Sequence, residues 1–206
     1  MGVFRRLTRA GAALAVAAIG ALLIASPAAA YDSGAAASYA DQWALGRNFQ
    51  VWGNFANDCT NFVSQSLHAG GYSMVNYGAN STDDNNWWFI TGTNYSHSWT
   101  VANDHYNFEN WHYPGGWSNG TRSGTDGGAT VNTTGDLYFY DFGDGAGINH
   151  VSIETSYGTD PNSGWTGDLV DAHSNDRYHA IWSLSPYNVF RSTTTVYLIH
   201  IDPNNN

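Results

Sequence analysis

The chain contains a single cysteine, Cys59, and its position suggests reactivity. It follows Asp58, a residue type that caps helices, and opens a run with Phe62, Val63, Ser66 and Leu67 on one helical face before Gly70-Gly71 ends it. Side chains in a first helical turn lean toward the N-terminus, so the sulfur projects from the helix tip. There the helix dipole and unpaired amides favour the thiolate and lower the thiol pKa below its free value of ~8.5. The same amides can hold the oxyanion of a tetrahedral intermediate. The alternative is an inert cysteine packed as a small hydrophobe beside Phe62 and Val63.

A nucleophilic thiol needs a base, and the chain has eight histidines. His68 lies inside the Cys59 helix and points away from its tip. His97, His105 and His112 fall in a loop-rich middle, and His179 and His200 have no supporting pattern. His150 follows a Gly-rich loop and opens the apolar strand Val151-Ser152-Ile153, where a strand end can present an imidazole to a helix tip. A third polar group must orient that ring. The next strand ends in Asp171-Ala172-His173-Ser174-Asn175-Asp176, and antiparallel neighbours lie ~5 Å apart. His173, continuing the alternation from Asp171, and Asn175, already in the turn, are both candidates.

The elements that must position these groups fall into two halves. A helix is expected over Ser33 to Gly46, with Ala36, Tyr39, Ala40, Trp43 and Ala44 as its apolar stripe. The Cys59 helix follows a polar, aromatic connector, and residues 72–131 read as functional loops with one helix from Ser98 to about Trp111. Strands are expected at Asp136–Tyr140, His150–Thr155, Asp168–His173 and Thr194–Ile201, separated by turn residues as in an antiparallel meander. Helices first and strands last predict an α+β domain with helices on one sheet face.

Residues 1–30 read as a cleavable secretory signal. Arg5, Arg6 and Arg9 precede an uncharged Ala/Leu-rich run, which ends at Ala28-Ala29-Ala30 and is short for a membrane span. Cleavage leaves residues 31–206 as one secreted domain with no Lys, four Arg and 17 acids, a net charge of −13. That charge argues against nucleic-acid binding and against electrostatic attachment to an anionic membrane or wall polymer. A lone cysteine allows no internal disulfide, so the core alone must hold the fold.

The segment Asp58-Cys59-Thr60-Asn61-Phe62-Val63-Ser64-Gln65-Ser66-Leu67-His68-Ala69-Gly70-Gly71 resembles the nucleophile helix of the secreted "putative amidase domain" family, within the papain-like, NlpC-type superfamily of cell-wall peptidases and amidases. Five further stretches match in order: Tyr39–Ala44, Ser98–Ala102, Gly135–Asp141, Ile148–Ile153 with His150, and His173–Arg177. The resemblance implies a papain-like α+β fold. It places Cys59 as nucleophile, His150 as base and His173 as third residue, with Asn175 as alternate and Asp58 beside the nucleophile. It further implies an amide bond of peptidoglycan, or a peptide, as substrate. No cofactor or metal is expected, and a monomer is. The loop Asp141–Asn149 departs from the family pattern, having two carboxylates where members often have several. Gln50, Asn54 and Asn57 are candidate side-chain donors to an oxyanion. Trp87-Trp88-Phe89, Trp111 and Trp117 could stack on sugars, whereas Trp99 is expected in the core. They motivate the competing reading, a non-catalytic glycan-binding module.

Overall fold

The computed structural model describes residues 30–78, 81–111 and 116–203. The expected signal (but for Ala30) and His112 lie outside those residues. Helix α1 runs Ser33–Trp43, and Asp32 caps it by accepting a hydrogen bond from the Ala35 amide at 2.9 Å. Its small residues Ala36, Ala37 and Ala40 are buried and let it approach helix α3 closely. A short helix α2, Phe49–Trp52, precedes α3, Cys59–Ala69. The approach explains Gly70 at the end of α3. A Cβ there would lie 2.7 Å from both the Asp32 carbonyl oxygen and the Tyr31 ring.

Helix α3 is buried on more than its apolar face. Every residue from Cys59 to Leu67 is covered, including Asn61, Ser64, Gln65 and Ser66. Buried polar groups are tolerated when bonded, and these are. Trp99 Nε1 donates to Asn61 Oδ1 at 2.9 Å and Trp87 Nε1 to Ser64 Oγ at 3.1 Å. Tyr39 donates to Gln65 Oε1 at 2.8 Å, and Ser66 Oγ to the Phe62 carbonyl at 3.0 Å. The polar side chains of this helix are thus its links to the surrounding aromatic layer.

The middle of the chain is more regular than its composition suggests. Strands β1, Phe89–Thr91, and β2, Asn94–Tyr95, form a small antiparallel pair. The single helix expected from Ser98 is two, α4 at His97–Thr100 and α5 at Ala102–Trp111, broken by the extended backbone of Val101.

The α+β expectation is met. Strands β3 (Gly116–Ser123), β4 (Leu137–Asp141), β5 (Ile148–Thr159), β6 (Thr166–Ala172), β7 (Arg177–Ile181) and β8 (Thr195–Ile201) form one antiparallel sheet in the order β3-β8-β4-β5-β6-β7. The meander extends only from β4 to β7, because β8 returns to lie between β3 and β4. Helices α1, α3 and α5 pack against β5. That face contributes Leu137, Phe139, Val151, Ile153, Ile199 and Ile201 to one core. The other face carries Tyr138, Tyr140, Val170, Val196 and Leu198 beneath Trp182 and Leu184, which precede a 3₁₀ turn at Ser185–Tyr187. Burial of both faces explains the continuous run Leu137-Tyr138-Phe139-Tyr140 where a half-exposed strand would alternate.

Candidate active site

Cys59 is the first residue of α3, and the chain just before it is clamped. Asp58 stands at the N-cap, yet its side chain makes no capping bond. Its buried carboxylate instead receives Arg47 Nε and His173 Nδ1, each at 2.6 Å, and Asn61 Nδ2 at 3.2 Å. The Asp58 amide donates to Ser174 Oγ at 3.1 Å. These contacts tie the start of α3 to the residues that follow β6. They therefore set the position of Cys59 relative to the sheet.

The thiol meets the beginning of β5. Burial raises the Cys59 pKa, but the hydrogen bond and positive charge of His150, the Thr60 hydroxyl and the Val151 amide outweigh it. The thiol is held at about 7, below its ordinary value of 9.0. The Thr60 oxygen lies 3.7 Å from the sulfur. At neutral pH a large share of the sulfur is therefore thiolate. The His150 ring, partly exposed, sits beside Tyr140 and Phe142 with centroid separations of 5.3 and 6.0 Å. Tyr140 is fixed in turn by 2.7 and 2.6 Å bonds to Ser152 Oγ and the Trp182 carbonyl.

Sulfur and imidazole open onto a cleft of about 520 Å³. Asn57, Ser174 and Asn175 contribute to its wall, as do Phe142, Arg177 and Tyr187. Of the three suggested oxyanion donors, Asn57 lines this cleft, and Gln50 and Asn54 do not.

His173 requires a correction, because both of its ring nitrogens are bonded to groups other than His150. Its Nδ1 meets the Asp58 carboxylate at 2.6 Å and its Nε2 the Trp43 carbonyl at 2.9 Å. Both partners are acceptors, so neither nitrogen is available to another ring. The ring also stacks on Phe62 at 3.8 Å and is 2% exposed. The physical reason is that β6 ends at Ala172, so His173 lies in the turn beyond the ladder, where the Asp58 carboxylate, the Trp43 carbonyl and the Phe62 ring hold it against α3. Asn175, past the turn at Ser174 (φ 73°), reaches the cleft instead.

The other described histidines have structural partners. His105 Nε2 and Glu109 Oε1 are 3.1 Å apart in the core, His200 is bonded to Asp136 and His97 faces Asp104. His68 packs edge-on against Trp52. The loop carboxylates of Asp141 and Asp144 accept the amides of Gly143 and Ala146 at 2.8 and 2.9 Å, which closes tight turns. Among the described residues, Asp41, Asp171 and His179 bring potential metal-ligand atoms within 4.8 Å of one another. Burial and the neighbouring Asp41 push the Asp171 carboxyl up to about 8, against the His179 amide bond. Trp87, Trp88, Phe89 and Trp99 are core residues, leaving Trp111 and Trp117 exposed among the aromatic residues considered for sugar stacking.

Arg177, Tyr187 and Phe142 were not singled out from sequence as cleft residues. Arg177 lies in the matched stretch His173–Arg177, and that was the available signal.

The profile of the family described as "Putative amidase domain" matches residues 30–198. The chain is also similar to the uncharacterized protein YhbB of Bacillus subtilis (strain 168), at 30% identity over 174 residues, which are 83% of this chain and 50% of YhbB. It thus spans about half the length of that relative. No solved structure matches.

Proposed function

The chain belongs to the "Putative amidase domain" family, and from that premise we propose that it is a cysteine-dependent amide hydrolase of papain-like, NlpC-type design. The observation that carries the proposal is the Cys59 thiol, held at about 7 by His150 at a helix tip that opens on a cleft. The thiolate attacks the amide carbonyl carbon, and the oxyanion draws on the amides at the start of α3 with Asn57 nearby. Protonated His150 gives its proton to the leaving amine as the carbon–nitrogen bond breaks, leaving a thioester on Cys59. Neutral His150 then takes a proton from water, whose oxygen attacks the thioester. The acid product leaves and the thiol is restored. Asn175 is the group we assign to orient the His150 ring, and His173 acts further back by holding Asp58.

Peptidoglycan is the substrate class proposed, and a leader-like segment over residues 1–30 supports delivery outside the cell. Digestion of purified peptidoglycan followed by mass spectrometry of the fragments tests this. The native chain should release new amine and carboxyl termini, and Cys59→Ala should release none. Identical fragment patterns from both proteins would refute the proposal, and turnover of peptides alone would move the substrate away from the cell wall.

A further inference from the structure

The full chain carries 17 acidic residues against seven basic ones, yet no residue lining the cleft is acidic, and Arg177 stands there beside His150. The contrast with the other arginines of the described region is informative. Arg47 is consumed by Asp58 and Asp176, each at 2.6 Å. Arg122 and Arg191 donate to backbone carbonyls, of Thr121 and Ser185. Arg177 has no carboxylate partner among the described residues. Its guanidinium instead lies over the Tyr187 ring, with Cζ 4.3 Å from the ring centroid.

The platform beneath it is fixed. The Tyr187 hydroxyl donates to the Asp160 carboxylate, with oxygen separations of 2.7 and 2.6 Å. Asp160 itself is fully buried and also receives the Ser163 hydroxyl and the Ile181 amide. A guanidinium held by a ring, with no carboxylate of its own, has N–H groups that can match a carboxylate in bidentate fashion. Partial exclusion of water by the walls of the cleft strengthens such a contact.

We propose that Arg177 forms a carboxylate-binding subsite, so that the substrate is an amide flanked by a free carboxylate, as in an acidic peptide. The inference rests on the amide-hydrolase reading and deepens it. The surrounding chain, being acidic, repels anions in general, so Arg177 gives the cleft a local preference that the rest of the surface lacks.

Binding tests the subsite apart from catalysis. Soluble peptidoglycan fragments are offered to the Cys59→Ala chain in two forms, untreated and with their carboxylates converted to methylamides. The untreated fragments should bind at least about tenfold more tightly. Adding Arg177→Gln should abolish the difference, and Arg177→Lys should restore part of it. Equal binding of the two forms, or a preference that survives Arg177→Gln, would overturn the subsite. Preference with no hydrolysis by the native chain would instead leave the subsite standing and remove the hydrolase reading.

Discussion

Two histidines within reach of the start of α3 occupy opposite environments. His173 is sealed under Phe62, with an acceptor on each ring nitrogen. His150 is partly open to the cleft and shares its proton with a thiol. A ring whose bonds are all made stabilises a fold, but has no nitrogen left for proton transfer. A ring with one exchangeable partner and solvent access can carry a proton back and forth. The contrast supports the proposal that His173 stabilises the fold while His150 moves the proton, although the family match covers both.

The largest expected effect separates the two roles. His150→Ala should lower kcat/KM by about 10²–10⁴-fold while the melting temperature stays nearly unchanged. His173→Ala should do the reverse. Removing a buried hydrogen-bond partner costs about 1–3 kcal/mol, measurable as a lower urea midpoint, while turnover per folded molecule falls much less. Equal activity losses in the two variants would erase the distinction drawn here.

A smaller effect tests whether the buried acids behave as supports. Glu154 and Asp171 are each pushed up to about 8, chiefly by burial. The folded chain therefore holds protons that the unfolded chain has released between about pH 4 and pH 8. Stability from these groups is complete below that window and is lost as pH rises through it. Asp171→Asn keeps a neutral side chain at every pH, so the drop in urea midpoint from pH 5 to pH 8 should shrink. A drop as steep as in the native chain would place the buried protons elsewhere.

Much of this frame was legible in the sequence, for identifiable reasons. Asp58, Gly70 and the apolar spacing between them marked α3, because helix ends are set by local chemistry. Apolar runs marked β4, β5, β6 and β8. Strand β3 escaped notice because Trp117-Ser118-Asn119-Gly120-Thr121-Arg122-Ser123 is a largely exposed edge strand with a register shift near Gly120, so it carries no apolar alternation. The break at Val101 was hidden because both flanking segments are helical. In the candidate site, Cys59 and His150 were legible from element starts, which sequence marks well. The environment of His173 was not, because it depends on Asp58 and Trp43, partners more than a hundred residues away that no local pattern names. The cleft wall at Arg177 and Tyr187 depends on a loop folding back across the sheet, which no local pattern encodes.

The proposed chemistry depends on ionisation of Cys59 by His150. The rate of iodoacetamide alkylation of Cys59 as a function of pH measures it directly, with intact-mass detection of the single adduct. The native chain should show a half-maximal rate near pH 7, and His150→Ala should move that midpoint upward toward the ~8.5 of a free thiol. A native midpoint already above 8, indifferent to His150, would contradict the account.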